Sequence, residues 1–253
     1  MICDDIKNLK VKNLLQVDIL TAGFPCQDFS IEGYQKGFED DRGSIFSDLM
    51  NITKILKPRV LFLENVKNLK SHNKSTTFQF IINAIEEQGY KIKHQIMNTC
   101  DYSILSQNRE RVYIVCFKDE TDFNNFDFPH KVADRLSVID ILENEVDNSY
   151  YYNNTKYYPI LKKEIINRNT CYQLRRKYVR ENKSNLCPTL TANMGTGGHN
   201  VPLILDNKDI RKLPPRECAR FQGFSDEFIL PDNMPNSFLY KQIGNSVSVP
   251  IIE

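Results

Sequence analysis

Between residues 17 and 117, short apolar runs of β-leaning composition alternate with stretches of helical period. VDILTAGF (17–24) is followed by the polar, glycine-punctuated SIEGYQKGFEDDRG, with Gly33, Gly37 and Gly43. Ile45, Phe46, Leu49, Ile52, Ile55 and Leu56 then recur at helical spacing until Pro58 stops them. RVLFLENV (59–66) is a second apolar run; Phe78, Ile81, Ile82 and Ile85 mark a second amphipathic helix, closed by Gly89. YKIKHQIMNT and RVYIVCF (111–117) add two more strands. Such alternation predicts an open α/β sheet with right-handed crossovers, 17–24 and 59–66 reading as buried strands of parallel type.

The character changes after about Phe128. Tyrosines cluster in SYYYNNTKYYP, basic residues in QLRRKYVRENK and glycines in NMGTGGHN, and the helical period is lost until PPRECARFQGF. The expected organisation is a catalytic α/β domain over 1–128, a smaller irregular β-rich domain over 129–210, and a return to the first domain over 211–253. A net charge of +1 in 253 residues excludes a strongly basic coat, so a nucleic-acid partner would need its positive charge gathered on one face. Seven scattered cysteines without a CxxC pair support neither zinc nor a disulfide framework. With no apolar run of bilayer length and no signal-peptide core, the expected location is the cytoplasm, with no metal and no membrane partner.

Three groups stand out as chemistry. Cys26, in AGFPCQDFS, follows a strand whose C-terminal end is where open α/β sheets hold their ligands, although a free cysteine is more often a buried hydrophobe. Glu64–Asn65 ends the next strand, as a used carboxylate or as a cap or ion pair. Gln107, Arg109 and Arg111 alternate at strand period and so share a face, either in a cleft or on a solvated edge. Together a thiol, a carboxylic acid and a guanidinium suit methylation of a cytosine: attack on C6, a proton for N3 and a donor for O2 activate C5 towards a sulfonium methyl donor. Because C6 is unreachable inside a duplex, the base must be flipped out.

These residues carry a resemblance to the cytosine-C5 DNA methyltransferases of bacterial restriction-modification systems, over nearly the whole chain. GFPCQDFS resembles the nucleophile motif, which implies Cys26 as the attacking residue, Pro25 setting the loop and Gln27 beside it. LENV resembles the base-contacting motif, giving Glu64 that role with Asn65 in support. QNRER resembles the motif whose first arginine meets the base, which points to Arg109, braced by Gln107 and Arg111. RECARFQGF (216–224) resembles the helix that supports the target-recognition region. YKQIGNSVSVP resembles the closing motif, in which Asn245, Ser246 and Val247 line the methyl-donor pocket together with Pro25. In CPTLTANMGTGGHNVPLI, Thr189 and Leu190 occupy the family's Thr-Leu pair; Arg175, Arg176, Arg180, Gly197, Gly198 and His199 are the further candidates for DNA recognition.

The resemblance implies S-adenosylmethionine as cofactor, double-stranded DNA as partner and a Rossmann-like methyltransferase sheet. The family's opening glycine-rich donor turn has no counterpart, since the first glycine is Gly23. GTGG at 195–198 precedes no helix and does not replace it. CDDIKNL resembles the element after that turn, so Asp5 and Ile6 are expected to hold the donor's adenine. The expectation is therefore a catalytic region without its first βα unit and final helix: an active enzyme, a silent DNA-binding remnant, or one chain of a split enzyme. Its partners would then include a separate N-terminal chain or a cognate restriction enzyme. A tRNA-methylating relative fits less well, because the basic and glycine-rich blocks between Pro129 and Asn207 suit duplex reading. Which bases are read does not follow from the sequence.

Overall fold

The uninterrupted apolar run RVYIVCF becomes an inner strand of a four-stranded sheet in the computed structural model, which describes residues 5–9, 14–25, 45–176, 178–196 and 200–253. The chain divides into two units. One comprises residues up to Met97 with Glu110–Phe128, the other Asn98–Arg109 with Pro129–Glu253.

In the first unit the strands are β1 (Ile19–Gly23), β2 (Val60–Val66), β3 (Lys91–Asn98) and β4 (Glu110–Phe117), in the order β1-β2-β4-β3. Helix α1 (Ile45–Leu56) connects β1 to β2, and α2 (Thr76–Glu86) lies between β2 and β3. β1 runs parallel to β2, with Ile19 opposite Val60 and Gly23 opposite Glu64. β4 runs antiparallel to β2, with Val66 opposite Arg111. An apolar run carries no strand direction, so this mixed sheet departs from the parallel reading without contradicting an α/β architecture. Leu61, Leu63, Ile114 and Cys116 of the sheet pack with Phe46, Leu49, Met50, Ile81, Ala84 and Ile85 of the helices in one core cluster. Burying each large aliphatic side chain there contributes about 1.5–3 kcal/mol.

Two sequence expectations need correction. Among the described residues β1 is an edge strand, half exposed along its length, with Ile19 at 59%. Its run of apolar residues reflects β propensity, not burial on both faces. Ile55 fits the helical period but is 45% exposed, because α1 buries Phe46, Leu49, Met50, Ile52, Thr53 and Leu56 instead.

In the second unit, β5 (Tyr172–Leu174), β6 (Val179–Glu181), β7 (Leu203–Leu205) and β8 (Ile210–Lys212) form an antiparallel sheet in the order β6-β5-β7-β8. The helices of this unit are α3 (Thr99–Tyr102), then, past the single α4 (Glu120–Asn125) of the first unit, α5 (Tyr158–Glu164), α6 (Pro215–Phe221), α7 (Asn236–Asn245) and α8 (Val249–Ile252). Residues 211–253, expected to return to the first domain, are built into this unit. The reason is a buried ion cluster and two close glycine contacts.

Arg211, fully buried on β8, meets Glu217 of α6 through two 2.8 Å hydrogen bonds and Asp206 at 2.6 Å. Tyr151 donates to the same Asp206 oxygen, and Glu217 also accepts from the Glu143 N–H. Burial works against the Arg211 cation, but its bonds to Glu217 and Asp206 outweigh that and hold its pKa above the usual value. Gly244 brings α7 against the backbone of Thr191 and Ala192: a Cβ there would stand 2.1 Å from the Thr191 carbonyl carbon. Gly223, at φ +91°, ends α6 in the left-handed region and lies where a Cβ would come within 2.4 Å of Pro250.

Candidate active site

At the end of β2 the sequence LENV sends successive side chains to opposite faces. Asn65 turns inward and is buried. Its Nδ2 donates to the Phe24 carbonyl at 2.7 Å, and its Oδ1 accepts from the Val66 N–H at 2.8 Å. Both bonds are satisfied inside the unit, so Asn65 ties the exit of β1, two residues before Cys26, to the exit of β2. Phe24 is buried against Phe46, their ring centroids 5.4 Å apart, while Pro25 is exposed.

Glu64 turns the other way. Its Oε1 sits 2.8 Å from Arg111 Nε, and the two side chains are only 15% and 13% exposed. Register places them across neighbouring strands, Glu64 next to Gly23 on one side and Tyr113 on the other. Arg111 spends Nη1 on the Glu110 carbonyl at 2.9 Å. Among the described residues, Glu64 Oε2 and Arg111 Nη2 have no hydrogen-bond partner. A half-shielded carboxylate oxygen and a guanidinium N–H therefore stand side by side, uncommitted, at the sheet edge. Lys67 pairs with Glu110 and pins the chain beyond β2 to the start of β4.

The expectation that Gln107, Arg109 and Arg111 share one strand face fails. β4 begins at Glu110, and residues 98–109 fold with the second unit. There Gln107 bridges Cys187, and the Asn108 N–H donates to the Cys187 carbonyl at 2.8 Å. Arg109, 3% exposed, donates from Nη1 to the Leu190 carbonyl at 2.9 Å and from Nη2 to the Ser246 carbonyl at 2.5 Å. It thus joins the chain at Leu190 to the chain at Ser246, using donors that a base contact would need. The Gln107 side chain is fully buried and neither of its amide atoms meets a hydrogen-bond partner among the described residues, so Gln107 braces this loop through its backbone.

The remaining candidates divide. Leu190 is fully buried in the core of the second unit, so its side chain is no groove contact. The Thr189 hydroxyl donates to the Asn108 carbonyl at 2.6 Å and braces the same loop. Arg176 and Arg180 are exposed and Arg175 is half-buried, all on or beside the β5–β6 hairpin. Asn245 is exposed at the end of α7, and Ser246, half-buried, turns its hydroxyl back to the Ile243 carbonyl at 2.7 Å. Val247 is half-buried. Asp5 is exposed and caps a short turn by accepting from the Lys7 N–H at 2.9 Å, with half-buried Ile6 beside it. Cys26, Gln27, Gly197, Gly198 and His199 lie outside the described residues.

The five cysteines among the described residues are all buried and free. Burial pushes the Cys100 thiol up to about 11 and raises Cys116, Cys187 and Cys218 as well, so these stay protonated and inert. Among the described residues no cluster of His, Cys, Asp or Glu could hold a metal ion, and no helix is long and apolar enough to cross a membrane.

Comparison with known proteins places this arrangement. The family model for C-5 cytosine-specific DNA methylase matches residues 1–253. The chain is 50% identical over 257 residues to the Type II methyltransferase M.Bsp6I of Bacillus sp. (strain RFL6), covering 100% of the chain and 81% of that protein. It is 38% identical over 250 residues to the Type II methyltransferase M.SsoII of Shigella sonnei, covering 98% of the chain and 65% of that relative's length. In fold it is similar to the Entamoeba histolytica methyltransferase EhMeth, with a TM-score of 0.68 at 20% identity, covering 99% of this chain and 79% of that one. The chain belongs to the C-5 cytosine-specific DNA methylases, and is an enzyme of that class.

Proposed function

We propose that the chain methylates C5 of a cytosine flipped out of duplex DNA, with S-adenosylmethionine as donor and Cys26 as covalent nucleophile. The observation that carries the reading is the Glu64–Arg111 pair, with one free carboxylate oxygen and one free guanidinium nitrogen, at the same end of β1 and β2 from which Asn65 holds the chain entering Cys26. Those two atoms match N3 and O2 of a cytosine, which are adjacent on one edge of the ring. Arg111 therefore takes the base-facing role that the sequence pattern suggested for Arg109, and Arg109 becomes a structural tie.

In this mechanism the Cys26 sulfur bonds to C6, and the electrons of the C5–C6 double bond move towards C5. Glu64 passes a proton to N3 as the ring gains charge, and the resulting carboxylate is stabilised by Arg111 at 2.8 Å. Arg111 Nη2 donates to O2 throughout. The donor supplies an electrophilic methyl group on a sulfonium centre. After C5 is methylated a solvent water takes the C5 proton, the electrons of that C–H bond restore the C5–C6 double bond, the S–C6 bond breaks to release the thiolate, and N3 returns its proton to Glu64. The chemistry of Asp5 and Ile6, an exposed carboxylate beside an aliphatic surface, fits the amino edge and face of an adenine; Pro25, Asn245, Ser246 and Val247 are the other residues proposed to hold the donor.

Sequence specificity is assigned to residues 145–207, and a cognate endonuclease reading the same site is the expected partner activity. The test is mechanism-based trapping: incubation with S-adenosylmethionine and duplex DNA carrying 5-fluorocytosine, then peptide mapping. An adduct on the Cys26 peptide is expected. Turnover on ordinary DNA without a Cys26 adduct would overturn the reading.

A further inference from the structure

The β5–β6 hairpin presents its polar groups in one pattern. Tyr172 and Leu174 of β5 are buried, so Gln173 between them faces outward, and register sets it directly opposite Arg180 of β6. Arg175 closes the turn, its N–H donating to the Tyr178 carbonyl at 2.8 Å, and its Nη2 reaches back to Gln173 Oε1 at 3.0 Å. A guanidinium only donates, so the amide atom facing it must be the carbonyl oxygen, and the Gln173 NH₂ is turned away from it. An unrestrained glutamine offers both an acceptor and a donor and pairs with adenine; here Arg175 engages the acceptor oxygen and leaves the NH₂ as the outward-facing group. Arg180 is exposed and meets no partner among the described residues. Glu181, the nearest acid on β6, sits at the other end of the register opposite Tyr172 and accepts from Asn167 Nδ2 at 3.3 Å.

We propose that this outward face is a donor-only surface that reads a guanine in the major groove, with Gln173 as a specificity-determining residue oriented by Arg175 and joined by Arg180. The inference rests on the reading that residues 145–207 form the recognition region. Guanine offers two adjacent acceptors, O6 and N7, in that groove. Adenine places its N6 donor beside N7 and cytosine offers its N4 donor, so both would set donor against donor. Thymine offers one acceptor and a methyl group. A two-stranded ribbon is also of a width that the groove admits.

The test requires neither a defined target site nor turnover. The purified chain, its Gln173→Ala and Gln173→Glu variants and Arg180→Ala are used to retain duplexes from a random-sequence library, and the retained pool is sequenced. The expected consensus contains a guanine, other than the partner of the target cytosine, that becomes degenerate in both Gln173 variants. Replacing that guanine by 7-deazaguanine, which lacks the N7 acceptor, should weaken the wild-type chain by about tenfold and Gln173→Ala by no further factor. A consensus unaltered in all three variants, or an A·T pair at the position they affect, overturns the assignment. Exchanging residues 145–207 for those of another family member separates the two levels. A retargeted consensus alongside silent Gln173 variants sinks only the hairpin assignment. An unmoved consensus sinks the regional reading, and no enrichment of any sequence sinks both.

Discussion

Arg109 and Arg111 stand two residues apart in QNRER, and their alanine variants should fail in different ways. Arg109 is 3% exposed and supplies donors to the Leu190 and Ser246 carbonyls. Alanine leaves both carbonyls without those donors, at about 1–3 kcal/mol each, so the loss is about 4 kcal/mol in all. For a domain of this size about 2–4 °C accompanies each kcal/mol, which predicts a melting temperature lower by about 8–16 °C. Arg111 makes one ion pair, at 2.8 Å and largely shielded, so Arg111→Ala should cost only about 1–2 kcal/mol of stability. In the reaction, however, it removes a fixed donor beside the site where negative charge develops, a loss of about 10²–10³ in rate. Arg111→Lys keeps the charge without the planar fork and should fall between, near tenfold. Thermal melts followed by circular dichroism, paired with single-turnover transfer of a tritiated methyl group at a temperature where every variant is folded, separate the two. The reasoning is refuted if Arg111→Ala keeps its rate within a few-fold, or if Arg109→Ala melts with the wild type.

Cys26→Ala should abolish methyl transfer while leaving duplex affinity within a few-fold, read by fluorescence anisotropy; a matching collapse of binding would make Cys26 structural. Glu64→Gln keeps the hydrogen bond but cannot deliver a proton, so single-turnover rates should fall about 10²–10⁴-fold, and an unchanged rate would remove the carboxyl from the chemistry. Gly244→Ala would put a Cβ 2.1 Å from the Thr191 backbone and should lower stability by about 3 kcal/mol or more, visible as a shifted urea midpoint. Burial opposes ionisation of Asp206, but the Tyr151 hydroxyl, the Asp209 N–H and Arg211 hold its pKa below the usual carboxylate range. A depressed folded-state pKa means stability that is present above the unfolded value of about 3.9 and is lost as pH falls through the folded one. The urea midpoint should therefore drop below about pH 4, and drop less in Asp206→Asn; identical acid limbs in the two proteins would contradict this.

What the sequence disclosed, and what it hid, divide along a physical line. Strands and helices were legible because burial leaves a period or a run: RVYIVCF is an inner strand, whereas β2, which reads as a buried run, alternates between buried and half-buried positions. Partnership leaves no such trace. β1 is as apolar as β2 yet lies at the edge, and nothing within VDILTAGF encodes which neighbours it has. The same limit explains the misplaced arginine. Period-two counting from Gln107 assumes one unbroken strand, whereas the chain leaves one unit after Arg109 and enters β4 of the other at Glu110. A lone arginine in sequence reads as solvated, and only the paired bonds of Arg211 to Glu217, six residues on, make its full burial tolerable. Gln173 went unnoticed for a related reason. A glutamine in sequence is both donor and acceptor, and only the 3.0 Å contact from Arg175 to its oxygen orients the amide. Motifs name the groups that reaction chemistry requires. Which atom of each group is left free to act is decided by its neighbours, and the roles proposed for Glu64, Arg111 and Gln173 rest on the atom that stays uncommitted among the described residues.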